Sequence, residues 1–149
     1  MRYIGFFLIF FTTLVGAACS YATRSPTSPS SAAGAVALTA ENLAGTWSLV
    51  TLQPAGGAQQ ARPGTATYNV VFENGRISAR ADCNMCSGST TLSGNSLTIG
   101  PALACTRAAC PTMAFESTFE SILSGDSTAT IDGRALTLTS PRGALRFER

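Results

Sequence analysis

Tyr68-Asn69-Val70-Val71-Phe72-Glu73-Asn74-Gly75-Arg76-Ile77-Ser78-Ala79-Arg80-Ala81 is the stretch that decides the fold. Tyr68, Val70 and Phe72 share one face of an extended chain, as do Ile77, Ala79 and Ala81 after the turn, and that alternation marks half-buried strands. Asn74-Gly75 between them tolerates the positive φ of a type I′ turn, so the stretch reads as a β-hairpin. The pattern continues outward. Trp47, Leu49 and Thr51 alternate with Ser48, Val50 and Leu52. Further strands are expected over 87–92, over 96–99 after Ser93-Gly94-Asn95, and over 103–107. Residues 128–131 meet 135–138 through Asp132-Gly133, and 144–148 follow Ser140-Pro141-Arg142-Gly143. Eight or nine short strands in a mainly β, strongly curved antiparallel sheet result.

One segment breaks the alternation. Phe115, Phe119, Ile122 and Leu123 recur at helical spacing between Pro111, suited to a first helical turn, and Gly125, suited to a C-terminal cap. The spacing predicts one helix over about 111–124, inserted before the last three strands. Its apolar stripe is expected to lid the open end of the curved sheet. Glu116 and Glu120 fall on the same flank, one turn apart.

The chain of 149 residues has room for one domain and a tether. Met1-Arg2-Tyr3, the apolar run 4–15 and Gly16-Ala17-Ala18 match the regions of an export signal over 1–18. The run is too short to span a bilayer. Val15-Gly16-Ala17-Ala18-Cys19-Ser20 resembles a lipobox, which makes Cys19 the expected lipid attachment site. Gly16 stands where such boxes usually carry Leu, and Ser20-Tyr21-Ala22 offers a rival cleavage site that would discard Cys19. The two outcomes are a membrane-anchored lipoprotein facing the periplasm, the outer membrane favoured, and a soluble periplasmic or secreted protein. The Ser, Thr, Pro and Ala that follow read as a flexible tether over 19–40, leaving a folded domain over 41–149.

The ten basic residues are all arginines, and removing Arg2 with the signal leaves nine against eight acids. With no basic cluster and near-zero net charge, nucleic acid is excluded as a partner. The chain has no histidine and no G-x-S-x-G elbow, so a nucleophile would lack its usual activating base. No catalytic, cofactor-binding or metal-binding residues are therefore assigned, and no cofactor is expected. Hydrolase and cysteine-based redox chemistry are the remote alternatives.

Four cysteines form two clusters, Cys83-Asn84-Met85-Cys86-Ser87-Gly88 and Cys105-Thr106-Arg107-Ala108-Ala109-Cys110-Pro111. As zinc ligands their second knuckle is too long, and as a redox centre Cys83-x-x-Cys86 lacks the following helix that would lower a thiolate pKa. An exported chain with paired cysteines points to structural disulfides. Facing residues on antiparallel neighbours have nearly constant number sums. The nested pairing, Cys83 with Cys110 and Cys86 with Cys105, keeps those sums close, whereas the crossed pairing separates them.

Several of these pieces together resemble the META domain family of HslJ-like heat-shock lipoproteins. They are Gly45-Thr46-Trp47-Ser48-Leu49, Phe72-Glu73-Asn74-Gly75-Arg76, Cys83-Asn84-x-x-Ser87-Gly88, Leu97-Thr98-Ile99, Thr106-Arg107-x-Ala109-Cys110-Pro111, Glu116, Leu136-x-Leu138 and Leu145-x-Phe147. The resemblance runs from about Leu43 to Arg149. It implies a small antiparallel β-barrel with one helix, and a noncatalytic bacterial envelope protein associated with heat or antibiotic stress tolerance. Asp82 departs from the family's Gly, and Cys86 with Cys105 stand where many members carry an aromatic and a small or apolar residue. Joint replacement by cysteine implies that those two positions touch.

Asn84, Arg107 and Glu116 are the polar residues at motif positions and the candidate interaction residues. Their structural reading has Asn84 holding a turn through its own backbone bonds and Arg107 pairing with Glu116. The expected partners are unidentified envelope proteins or cell wall, with the membrane reached through the anchor. The alternative function is a barrel that carries a small apolar ligand in its mouth.

Overall fold

The computed structural model describes residues 35–101 and 103–149. The expected signal peptide over 1–18, Cys19 and the tether up to residue 34 lie outside the described residues.

Eight antiparallel strands close a barrel: β2 (Gly45–Pro54), β4 (Tyr68–Glu73), β5 (Arg76–Ala81), β6 (Asn84–Ser93), β7 (Ser96–Ile99), β9 (Gly125–Asp132), β10 (Ala135–Ser140) and β11 (Gly143–Glu148). Their order around the wall is β9-β10-β11-β2-β4-β5-β6-β7, and β7 pairs back onto β9. Three two-residue strands extend it: β1 (Ala35–Val36) on β9, β3 (Gln60–Ala61) on β2 and β8 (Ala104–Cys105) on β6. The expected tether over 19–40 is thus shortened, because Ala35 and Val36 already pair with Asp132 and Ile131.

The hairpin at Asn74-Gly75 forms as its residues dictate, with φ of 51° and 70° and Glu73 facing Arg76. The β9–β10 loop shifts by one residue from the reading above. Asp132 faces Ala135, so the loop is Gly133-Arg134, with Gly133 taking the positive φ of 57°. In β2 a bulge opposite Arg146 and Phe147 changes the alternation, turning Leu52 inward instead of continuing the Trp47, Leu49, Thr51 face. Gly143 permits the close approach of β11 to β2, since a Cβ there would lie 2.2 Å from the Gln53 carbonyl oxygen.

The barrel is filled rather than hollow. Trp47, Leu52, Val70, Leu97, Ile99, Phe119, Ala129, Leu136, Leu145 and Phe147 are fully buried and belong to one apolar cluster. Helix α2 (Met113–Leu123) closes one end by burying Phe119, Ile122 and Leu123. Phe119 stands edge-on to Tyr68 at 5.3 Å and to Phe147 at 6.4 Å, geometries that add to area burial. The helix starts later than 111. Thr112 is its N-cap and Pro111 lies one residue outside, while Arg142 donates to the Ser121 and Ser124 carbonyls at its other end.

A second helix, α1 (Ala40–Leu43), closes the opposite end and was not anticipated from the alternation. Thr39 and Asn42 form a capping box around it, and its Leu43 carbonyl accepts from the Trp47 indole at 2.8 Å. The Arg149 guanidinium sits 4.3 Å from the Trp47 ring centroid, a cation–π contact.

Candidate functional site

The connection from β7 to α2 is mostly irregular, and a clasp of sulfur and buried polar groups holds it to β6. Cys83 is bonded to Cys110 with Cα atoms 5.8 Å apart, and Cys86 to Cys105 at 4.0 Å. The inner pair are direct cross-strand partners of β6 and β8, so that bridge locks one register. The bridges tie the β5–β6 turn to the segment just ahead of the lid helix and β6 to β8, across sequence separations of 27 and 19 residues.

Asn84 sits between the bridges and is 1% exposed. Its amide oxygen accepts from the Ala108 N–H at 2.8 Å and the Thr106 hydroxyl at 2.8 Å. Its amide nitrogen donates to the Ala108 carbonyl at 3.0 Å and to Glu116 Oε1 at 2.7 Å, and lies 3.1 Å from the Cys110 sulfur. Asn84 therefore holds the 106–110 loop and α2 together; it does not brace its own turn as expected from sequence. A neutral side-chain amide offers donors and an acceptor in one plane, and so serves two backbone groups and a carboxylate at once.

The turn ahead of it is made by Asp82, which adopts a φ of +56°, the conformation glycine takes at low cost. Its N–H donates to Thr67 and its Oδ2 accepts from the Thr112 hydroxyl at 2.7 Å, which also pairs with the Tyr68 hydroxyl at 2.7 Å. Aspartate thus keeps the backbone glycine would give and adds a tie to the cap of α2. Burial raises the Tyr68 pKa, with Asp82, Glu116 and Glu120 adding to the shift against the opposing bond from Thr112.

Arg107 pairs with Glu120, at 2.9 Å, and not with Glu116 as the sequence reading had it. Both acids lie on the anticipated flank of α2. The exposed Arg107 reaches the outer one, while Glu116, 5% exposed, is turned inward onto Asn84. Burial raises the Glu116 pKa; the Asn84 amide lowers it, the neighbouring Glu120 raises it again and Arg107 lowers it. Its Oε2 faces no donor.

The Glu120 carboxylate approaches the inner bridge, with Oε1 3.6 Å from the Cys86 sulfur. Cys86, Cys105 and Glu120 place three metal-competent atoms within 4.8 Å of one another. Two of them are the sulfurs of one disulfide, which have no thiolate to offer.

Two features of this end escaped sequence reasoning. Met85 and Met113 are 50% and 55% exposed, the large apolar side chains left in solvent among the described residues. Met85 pairs through its backbone with Thr106, and Met113 lines a cavity with Ala108 and Ala109. They flank the clasped loop. Met85 carried a signal in being an outward-facing apolar residue of a strand whose Asn84 and Cys86 neighbours face inward; Met113 depended on where the helix begins.

A closed eight-stranded antiparallel barrel with a helical lid and a clasp of nested bridges around a buried Asn–Glu pair is a defined class of small β domain. The META domain model matches residues 40–149, and the chain belongs to that family. No match was found among curated proteins. A solution structure of a protein from Burkholderia xenovorans is similar over 84% of this chain and 98% of its own, at 23% identity and a TM-score of 0.61. A second solution structure matches over 74% and 94%, at 22% identity and a TM-score of 0.59. These likenesses concern the fold.

Proposed function

We propose that the protein is a noncatalytic envelope domain that works by contact with other envelope components, in heat or antibiotic stress tolerance, through the face around the clasped loop. It is exported and held to a membrane by lipid on Cys19. One observation carries the reading: the exposed methionines Met85 and Met113 flank a loop, Thr106 to Ala109, that two disulfides and Asn84 hold rigid. A preorganised backbone lowers the ordering cost of binding, and flexible, polarisable methionines on it can adapt to a partner's apolar surface. The filled barrel supports the same reading, because a partner must then be met on the outside.

Site-directed photo-crosslinking in the host tests it. A crosslinking side chain at Met85 or Met113 should give discrete adducts that Arg107→Glu diminishes, while the same probe at Glu41, beside α1, gives none. Equal adducts from both ends would overturn the assignment of the face.

A second reading has one observation behind it. A cleft of about 600 Å³ lies beside α1, lined by Leu43, Phe72, Leu92 and Leu97 with Glu41 and Glu73 among its polar residues. Its size suits a small apolar ligand. Native mass spectrometry of protein purified from its host would show the added mass if the domain is a carrier; an empty mass removes this reading.

A further inference from the structure

Glu116 is a buried carboxylate with half its bonding capacity unused. Asn84 satisfies Oε1, and Oε2 has no donor although the side chain is 5% exposed. A carboxylate oxygen left so is costly, and calls for a proton or a second donor. The same side chain lines a cavity of about 140 Å³ bordered by Asn84, Arg107, Ala108, Ala109, Met113 and Ser117. That volume admits one small group on a thin stem.

The surroundings select its chemistry. The charged groups near Glu116 are Glu120, one turn along α2, and Arg107, which Glu120 already holds. Farther off, Asp82 reaches the same helix through Thr112, which also binds the Tyr68 hydroxyl. Carboxylates exceed guanidinium, so a cation is favoured over an anion. The methyls of Ala108 and Ala109 and the Met113 thioether suit an aliphatic stem, as lysine stems lie along apolar surface with the charge at the tip.

We propose that this cavity is a socket for a primary ammonium group on an aliphatic stem, with Glu116 Oε2 as its acceptor. The assignment rests on the reading of this face as a contact surface and names the group a partner would insert there. A lysine side chain and a small free amine present the same chemistry. Entry of the ammonium places an N–H donor on Glu116 Oε2 and forms an ammonium–carboxylate pair.

The test is an NMR titration of the ¹⁵N-labelled exported protein, purified from its host, with n-butylammonium chloride, with n-butanol, and with a blocked Gly-Lys-Gly peptide. The socket requires saturable shifts at the Asn84 side-chain amide and at Met113 and Ser117 with the ammonium, and none with the alcohol. Affinity should weaken about tenfold per pH unit below the Glu116 pKa. Glu116→Gln should weaken binding at least about tenfold. Ala109→Leu, which narrows the cavity at an exposed residue and leaves the carboxylate in place, should do the same and covers the case in which Glu116→Gln misfolds.

Tighter saturation by the peptide identifies a protein lysine, and saturation by butylammonium alone identifies a small amine; both uphold the socket. Shifts that never saturate, or that persist in Glu116→Gln and in Ala109→Leu, overturn it. Such a failure with the Met85 and Met113 crosslinks intact leaves the contact face standing without this anchor. Saturable titration with those crosslinks absent upholds the socket and overturns the protein-docking face.

Discussion

The two ends of the barrel are closed by opposite means. At the α1 end a four-residue helix adjoins its own strand and is held mainly by local bonds, the Thr39–Asn42 capping box and the Leu43 carbonyl on the Trp47 indole, with Arg149 from far along the chain laid on the Trp47 ring. At the α2 end the chain between β7 and the helix makes only the two-residue β8, and two bridges with a buried asparagine supply what a strand ladder would have given. The contrast teaches where covalent and buried polar ties are needed: where backbone pairing runs out and the contacts are distant in sequence.

Three substitutions sharpen that contrast. Replacing Cys83 and Cys110 together by alanine should lower stability most, by about 2.7 kcal/mol on the chain-entropy account, because the intact inner bridge cuts the loop that the outer one closes to about ten residues. Thermal unfolding checks this, and a loss no greater than that of a cap variant would erase the difference between the ends. Asn84→Ala should follow, at about 2 kcal/mol, because it strands the Ala108 backbone groups and one Glu116 oxygen without partners. Urea unfolding measures it, and hydrogen exchange should show the 106–110 loop opening first. Thr39→Ala should cost least, about 1 kcal/mol, the usual worth of an N-cap. A loss from Thr39→Ala equal to that from Asn84→Ala would show that both ends depend on polar clasps.

Much of the architecture was legible in the sequence because it follows from short-range rules. Period-two alternation located the eight barrel strands, and the Phe115, Phe119, Ile122, Leu123 stripe located α2, since each depends on a few neighbours and one buried face. The misread details share a different origin. Thr51 was placed on the Trp47 face because a bulge leaves no mark in residue type. Arg107 was assigned to Glu116 when it reaches Glu120, because the course of an irregular loop decides which of two acids on one helical flank it meets. Asn84 was given a local turn role, while its partners lie 22 to 32 residues away. Helix α1 was missed because four residues are too few for a periodic signal, although Thr39-x-x-Asn42 between Leu38 and Leu43 is the kind of start that a capped turn uses.

The nested bridges carry one more implication, for biogenesis. With Cys110 three residues ahead of α2, the lid is tethered at its seat only after oxidation. For a chain exported as proposed, the thiol-rich cytosol would keep that seat unlatched, so a newly made polypeptide stays loose enough to thread through a translocation pore. The oxidant on the far side then serves as the latch, tying completion of the shape to arrival.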